Sequence, residues 1–344
     1  MLEAWVDTLR VLDGTLRLAT PLILCAAAGL VSERSGVIDI GLEGKLLAGA
    51  FAAAAAASLS GSPWIGLAAA IGVAVLLALM HGFACITQHG EQIISGVAVN
   101  ILAAGLTVVA GIAIFRQGGQ TPLLGPAERF GPIQLPGVDA VAGVPGVGPL
   151  YAELISGHNV LVYLALVVVL AVWWLLYRMT FGLRLRAVGE APEAVDTAGV
   201  SVPWLRYRAV VITGVLCGIA GAYLSTAHGA GFVREMSAGK GFIALAAMIF
   251  GKWRPGPALV ACLLFGFLDT ITPRLEGVRM ACSDGKAIEL LITLLGSACD
   301  EPPLRLPTAL IPTLPYVFTV VLLARFFGRA VPPAALGTPY VKKH

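Results

Sequence analysis

The chain has 344 residues, of which 58% are hydrophobic and 12% are charged, and its formal net charge is +3. This composition is typical of polytopic membrane proteins and excludes an ordinary soluble domain. The basic residues lie mostly in loops between apolar runs, where membrane topology accounts for them. No nucleic-acid partner is therefore predicted.

The first predicted span covers residues 15–31, and an unusual stretch follows over residues 32–51. This stretch mixes charged residues, glycines and apolar residues, so it suits neither an ordinary loop nor a lipid-facing helix. Acids at membrane depth survive only where protein or a water-filled cavity covers them, which makes Asp39 and Glu43 candidates for a translocation path. On a helix, their i, i+4 spacing would place them on one face. The alternative is a cytoplasmic loop whose charges contact water.

Three further spans are predicted over residues 46–59, 64–86 and 93–115. Asn100 lies inside the last of them. A buried amide needs a hydrogen-bonding partner, so Asn100 faces either the translocation path or a neighbouring helix to which it bonds. Both interpretations stay open from the sequence.

Two loops with opposite charge content then fix the predicted orientation. Residues 116–158 are rich in glycine and proline and contain two arginines, which favours the external side. Residues 178–208 lie between apolar runs 160–177 and 209–227 and carry five arginines: Arg178, Arg184, Arg186, Arg206 and Arg208. Because short basic loops remain cytoplasmic, residues 178–208 are predicted to face the cytoplasm.

The centre of this basic loop is predicted to be a short helix over residues 190–198. Pro192 suits a first helical turn, Glu190 and Glu193 suit a positive helix N-terminus, and Gly199 is a stop signal. Such a rigid projection is predicted to dock a soluble partner. The alternative is an amphipathic surface helix that only joins two spans.

The last third of the chain contains two short apolar pieces, 241–250 and 258–268, separated by a basic turn. Short interrupted segments of this kind are a pointer to a transport pathway. Residues 269–307 mix polar and apolar residues and are predicted to lie on the external side, where Cys282 and Cys299 are candidates for a disulfide. Residues 308–327 form the last predicted span. The C-terminus is predicted to be cytoplasmic. The sequence thus predicts one all-α transmembrane bundle over residues 1–344, with about eight to ten spans and at least one broken or re-entrant segment.

Motifs for catalysis and for nucleotide binding are missing from the sequence. It has no GxxxxGK[ST], HExxH or GxSxG motif, and no Cys/His spacing typical of metal ligands. We therefore predict no catalytic residue, no metal site and no ATP site of its own, so the chain is not predicted to be an enzyme.

Several segments carry a family resemblance: SERSGVIDIGLEG, TFGLRLRAVGEAPEAVDTAGVSV, ALAAMIFGKWRPG with LLFGFLD, and LPYVFTVVLLA followed by PPAALGTPY. Taken together and in this order, they resemble the permease subunits of bacterial ABC importers. Within that group they are similar to the simple-sugar and nucleoside branch, which is related to the ribose and branched-chain amino acid permeases. The resemblance extends from about residue 15 to residue 340.

The resemblance implies a multi-pass permease of the bacterial inner membrane that transports a nucleoside or a related sugar-like solute. Its implied partners are a cytoplasmic ATP-binding cassette subunit, which holds the ATP and Mg²⁺, a second homologous permease, and an extracytoplasmic binding protein or lipoprotein. It assigns five residues to the helix that couples to the ATPase: Gly189, Glu190, Ala194, Ala198 and Gly199. It places Asp39, Glu43 and Asn100 at or near the translocation path. The alternative function is an ion-coupled secondary transporter that uses Asp39 or Glu43.

Overall fold

The computed structural model of the protein describes residues 2–136, 138, 147–275, 317 and 331–342, and no strand is found among them. In chain order, the main helices are α1 Leu2–Arg34, α2 Leu42–Ser60, α3 Pro63–Gly82, α4 Gln92–Phe115, α5 Val160–Arg178, α6 Thr180–Glu190, α7 Pro192–Thr197, α8 Val202–Tyr223, α9 Lys240–Phe250 and α10 Pro255–Leu275. Wider π-helical turns, Phe83–Thr87 and Leu224–His228, continue α3 and α8. Short helical segments are Pro126–Glu128, Val147–Pro149 and Leu150–Ile155.

Seven segments within the described ranges are long and apolar enough to cross a membrane. The predicted spans 46–59, 64–86, 93–115, 160–177 and 209–227 all coincide with such helices. The predicted all-α transmembrane bundle is therefore confirmed.

Two predicted elements have the wrong length. The first span was predicted over residues 15–31, but α1 has 33 residues and continues through Pro21. The piece predicted over 258–268 is part of α10, which has 21 residues and is long enough to cross a membrane. The predicted last span over 308–327, apart from Val317, and both Cys282 and Cys299 lie outside the described residues.

The four other cysteines, Cys25, Cys85, Cys217 and Cys262, are buried and free. They lie inside the apolar spans, where a buried thiol packs as a small apolar residue.

Contacts between distant segments define two ends of the bundle. At one end, which we call the basic end, Arg34 Nη2 donates to the carbonyl of Trp253 at 2.7 Å, and Ala335 N–H donates to the carbonyl of Gly189 at 2.8 Å. At the opposite end, the Tyr223 hydroxyl donates to the carbonyl of Arg17 at 2.8 Å. Helix α1 therefore runs towards the basic end, and its residue Arg17 lies nearer the end away from residues 178–208.

Helix α8 lies at the centre of the bundle. In the span Val202–His228, which α8 begins, 83% of the most apolar stretch is buried. Helix α8 packs closely against α2 and α3 because small residues face both helices. A Cβ atom at Gly218 would lie 2.6 Å from the Cα of Ile71, and one at Gly221 would lie 2.5 Å from the backbone nitrogen of Ala50. Small residues at such crossings let membrane helices approach to backbone contact.

Helix α9 crosses only part of the bundle. After α8 reaches the opposite end, residues 229–239 turn back inwards, where the Phe232 ring packs edge-on against Phe51 with a centroid distance of 5.2 Å. Helix α9 then runs to the basic end, and with 11 residues it is about 16 Å long. The predicted interrupted segment over 241–250 is confirmed as this short helix.

Helix α4 lies at the edge of the bundle and exposes a stripe of large apolar side chains. Ile94, Ile101 and Val109 are among its exposed residues. Only 22% of the most apolar stretch of α4 is buried. Such a surface is compatible with hydrocarbon or with another apolar protein surface, and not with water.

Candidate functional site

Two regions contain the residues that the sequence singled out. The first is a polar junction inside the bundle, formed by Asp39, Glu43, Lys45, His81 and Asn100. The second is a docking ridge at the basic end, formed by residues 190–199.

The polar junction is built around the non-helical link between α1 and α2. The Ser32 hydroxyl donates to the carbonyl of Val37 at 2.9 Å, which folds the chain back after α1. Helix α2 begins at Leu42, so Asp39 precedes the helix and Glu43 lies in its first turn. The prediction that the two acids share one helix face is therefore wrong, because the backbone between them is not helical.

Asp39 forms an ion pair with Lys45, and both side chains are 0% exposed. Burial by itself raises the pKa of Asp39, but the charge and hydrogen bond of Lys45, together with His81 and the backbone at Gly41, outweigh it and hold that pKa below its ordinary value. His81 lies close by, where its Nε2–H donates to the carbonyl of Ile38 at 2.9 Å. The negative charge of Asp39 is therefore balanced by Lys45 of the same chain.

Glu43 connects α2 to the beginning of α9. Its Oε1 accepts a hydrogen bond from Gly239 N–H at 2.9 Å, and its Oε2 accepts one from Gly241 N–H at 2.6 Å. Backbone N–H groups at a helix start have no partner within the helix, and the helix dipole favours a negative charge there. Glu43 thus fixes the depth at which α9 begins.

Asn100 connects α4 to the same link. Its Oδ1 accepts from Gly44 N–H at 2.7 Å, and its Nδ2 donates to the carbonyl of Ile40 at 3.0 Å. The structure therefore brings Asp39, Glu43 and Asn100 together at residues 39–44, and it gives Asn100 the interhelical hydrogen bonds that were one of its two interpretations. Their placement on a translocation path stays a prediction.

Sequence reasoning missed the roles of Lys45 and His81 in this junction. Lys45 was visible only as one charge among several, and His81 lies in an apolar run without a polar neighbour. The signal that could have found them is their polarity: a polar or charged side chain inside a span needs a buried partner.

The docking ridge has the local structure that the sequence predicted. Helix α7 begins with Pro192 in its first turn, and the chain leaves it at Gly199 with a φ of +78°, a conformation that favours glycine. Val195 points inwards and packs with Val188, Val202 and Leu205. The predicted short helix is confirmed over Pro192–Thr197, but Glu190 is the last residue of α6, so its predicted place at the N-terminus of this helix is wrong.

Four of the five residues predicted for docking are exposed on this ridge: Glu190, Ala194, Ala198 and Gly199. Gly189 is buried instead. A Cβ atom there would contact the carbonyl oxygen of Arg34 and would lie 3.4 Å from Cβ of Pro333. The structure thus packs Gly189 against Arg34 and Pro333 and leaves the other four residues on the surface.

Arginines beside the ridge stack on aromatic side chains. Arg186 lies over Tyr177 at 4.8 Å from the ring centroid, and Arg208 lies over Trp204 at 4.6 Å. Aromatic rings and long basic side chains of this kind are enriched at the membrane–water interface. These pairs therefore mark where the bundle meets the interface at its basic end.

Comparison with known proteins agrees with a transport subunit. Residues 11–292 match the family described as "Branched-chain amino acid transport system / permease component". The chain is 35% identical over 338 residues to the guanosine ABC transporter permease protein NupQ of Bacillus subtilis, a match that covers 96% of each chain.

Two other relatives match over most of their length. The nucleoside ABC transporter permease protein NupC of Lactococcus lactis is 33% identical over 347 residues, with 98% of each chain covered. The putative glucose ABC transporter permease protein TsgC13 of Haloferax volcanii is 34% identical over 313 residues, with 91% of this chain and 90% of the relative covered. With its membrane-spanning helices and a family match over most of its length, the chain belongs to the family of permease components of branched-chain amino acid transport systems.

Proposed function

We propose that this chain is the transmembrane permease subunit of an ATP-driven ABC importer that carries a nucleoside. The observation that carries the proposal is the nearly full-length similarity to permeases named for guanosine and nucleoside transport. The exposed ridge on α7 supports it, because an ATP-driven permease needs a surface through which a partner can move it.

In this proposal, the energy enters at α7. A cytoplasmic ATP-binding cassette subunit docks on Glu190, Ala194, Ala198 and Gly199, whose side chains or backbone are exposed. ATP and Mg²⁺ bind to that partner, and this chain binds no cofactor. Gly189 contributes indirectly, by letting α6 approach Arg34 closely.

The proposed location is the bacterial inner membrane, with the basic end in the cytoplasm. The arginines of residues 178–208 favour this orientation, and residues 331–342 lie at the same end through the bond between Ala335 and Gly189. The C-terminal segment is then cytoplasmic, residues 116–158 are external, and an extracytoplasmic binding protein or lipoprotein delivers the solute there. The exposed apolar face of α4 is available for lipid or for a second, homologous permease.

We place the translocation path beside α9, with the polar junction in its wall. Short or interrupted helices of this kind commonly form the substrate site of transporters. Glu43 holds this helix, whereas Asp39 and Asn100 hold the link that leads into the first turn of α2, where Glu43 lies. Each of the three therefore acts on the path through backbone position.

Replacing Glu43 with Gln is expected to lower ATP-driven uptake while the assembled complex persists. Glutamine keeps one oxygen acceptor and loses the charge, and hydrogen bonds to charged groups contribute about 1.5–3 kcal/mol. Glu91→Gln is a matched control, since Glu91 also accepts a backbone hydrogen bond at a helix start, from Ile94 at 2.6 Å, but on the surface. Uptake by proteoliposomes of both variants is the measurement, and equal uptake would contradict the role of Glu43.

The second candidate function is an ion-coupled secondary transporter with Asp39 or Glu43 as the ion site. The contacts of the two acids disfavour it. Asp39 is paired with Lys45, and both oxygens of Glu43 accept backbone hydrogen bonds. An ion would have to displace these partners before it could bind.

The test is uptake of radiolabelled guanosine, adenosine and uridine by proteoliposomes that contain this chain, its second permease, the ATPase and the binding protein. We expect uptake of at least one nucleoside that requires ATP and survives an ionophore. Uptake that needs no ATPase and stops with the ionophore would establish the secondary transporter instead.

A further inference from the structure

The C-terminal residues 331–342, which we call the strap, cross the basic end of the bundle. They touch four regions that are distant in sequence: the link after α1, the link between α3 and α4, the turn between α6 and α7, and the beginning of α8. In the sequence, this segment stands out only through the family resemblance of its residues PPAALGTPY.

The strap completes the end of α6. Ala335 N–H donates to the carbonyl of Gly189 at 2.8 Å, and Ala334 N–H donates to Oε2 of Glu190 at 3.2 Å. Carbonyls in the last turn of a helix have no partner within the helix. The strap supplies such a partner to the carbonyl of Gly189 and a second donor to the side chain of Glu190, directly before α7.

The strap is also anchored to the bundle. Gly337 N–H donates to the carbonyl of Gly36 at 3.1 Å. Arg206 is 1% exposed and bridges the two segments, since its Nη1 donates to the carbonyl of Thr338 at 3.1 Å and its Nε to the carbonyl of Ser35 at 3.2 Å. The position of the strap therefore follows the position of α1.

The strap contacts α7 itself through side chains. Tyr340 packs against the apolar cluster of Val188, Val195, Val202 and Leu205, and Lys342 Nζ lies 3.8 Å from Oδ1 of Asp196. A cleft of about 530 Å³ lies between α7 and the strap, with Asp196 and Gly199 on one side and Tyr340 and Lys342 on the other. The strap is thus one wall of the surface beside the docking ridge.

We propose that the strap is a positioning element that holds α7 in its docking orientation and forms part of the surface that the ATPase contacts. Helix α7 has only six residues, and a helix of that length is not stable in water without packing. Because the strap joins α7 to α1, a force on α7 is transmitted to the bundle instead of being lost in local motion. This inference rests on the proposed function.

The test compares the full chain with a truncation after residue 330. Hydrogen–deuterium exchange of residues 191–200, measured on the permease in nanodiscs, should be faster in the truncated protein. In the reconstituted importer, solute moved per ATP hydrolysed should fall at least about fivefold, since coupling between sites typically amounts to a factor of 5–150.

A point variant keeps the test decisive if the truncation fails to assemble. Gly337 has a φ of +78°, and a Cβ there would lie 2.9 Å from Cδ1 of Ile38, so Gly337→Val should displace the strap. Gly61→Val is the matched control, because Gly61 has a φ of +71° at the opposite end and nothing lies within 4 Å of its Cβ position.

Faster exchange on α7 with Gly337→Val and not with Gly61→Val would support the proposal, as would a lower yield of solute per ATP. Unchanged exchange and an unchanged yield in Gly337→Val would overturn it. A wild-type complex that shows no ATP-driven uptake would overturn the proposed function, whereas the exchange experiment would still decide whether the strap holds α7.

Discussion

Lys45→Met is expected to destabilise the permease by about 3–5 kcal/mol, the effect of removing one partner from a buried ion pair. Asp39 would remain as a carboxylate with 0% exposure and without its cation. Burial raises the pKa of Asp39, and Lys45 is the first of the partners that hold it below the ordinary value, so the substitution removes the main interaction that stabilises the charge. The loss should appear as a lower midpoint of thermal unfolding in detergent.

The double variant Asp39→Leu with Lys45→Met should recover most of that loss, because a buried ion pair replaced as a whole by apolar residues is often tolerated. Lys252→Met is the matched control, since Lys252 is an exposed lysine. A Lys45→Met protein as stable as the control would contradict the buried pair.

Ala194→Trp is expected to lower both ATPase association and ATP-driven uptake by more than about tenfold, which corresponds to about 1.4 kcal/mol. Ala194 is an exposed residue in the middle of α7. A bulky ring there should prevent close contact with a groove that fits a small side chain, and disturbed residues at an interface centre commonly cost 2 kcal/mol or more.

The control is Ala127→Trp, because Ala127 is also an exposed alanine in a short helical turn, but lies in the segment between α4 and α5. Co-purification of the ATPase with each variant measures association. Normal co-purification of the ATPase with the Ala194→Trp variant would show that α7 is not part of the docking surface.

The docking ridge was predictable from sequence because its signals are local. Pro192 fixes the backbone at a helix start, and Gly199 takes the left-handed conformation at its end, so both act through their own φ angles. The burial of Gly189 was not predictable, because it depends on Arg34 and Pro333, each more than a hundred residues away in the chain. The strap was missed for the same reason.

The polar junction was predictable in its location but not in its contacts. The acids at residues 39 and 43 suggested a covered site, but the helical spacing argument failed since α2 begins only at Leu42. The bonds from Glu43 to Gly239 and Gly241 join positions almost 200 residues apart, and no local pattern encodes them.

The underestimated length of α10 has a physical cause. Asp269 and the following threonines lower the local hydropathy and suggested the end of a span. In the structure, the hydroxyl of Thr270 donates to the carbonyl of Gly266 at 2.7 Å, and that of Thr272 donates to the carbonyl of Leu268 at 2.8 Å. Hydroxyls bonded back to their own helix let the apolar segment continue.

Photo-crosslinking from position 194 in the assembled importer tests the role of α7 most directly. A photoreactive amino acid at residue 194 or 198 should form a covalent adduct with the ATPase, and the same probe at residue 127 should not. A transporter that is active in ATP-driven uptake but gives no adduct from either position on α7 would contradict the proposal that the ATPase docks there.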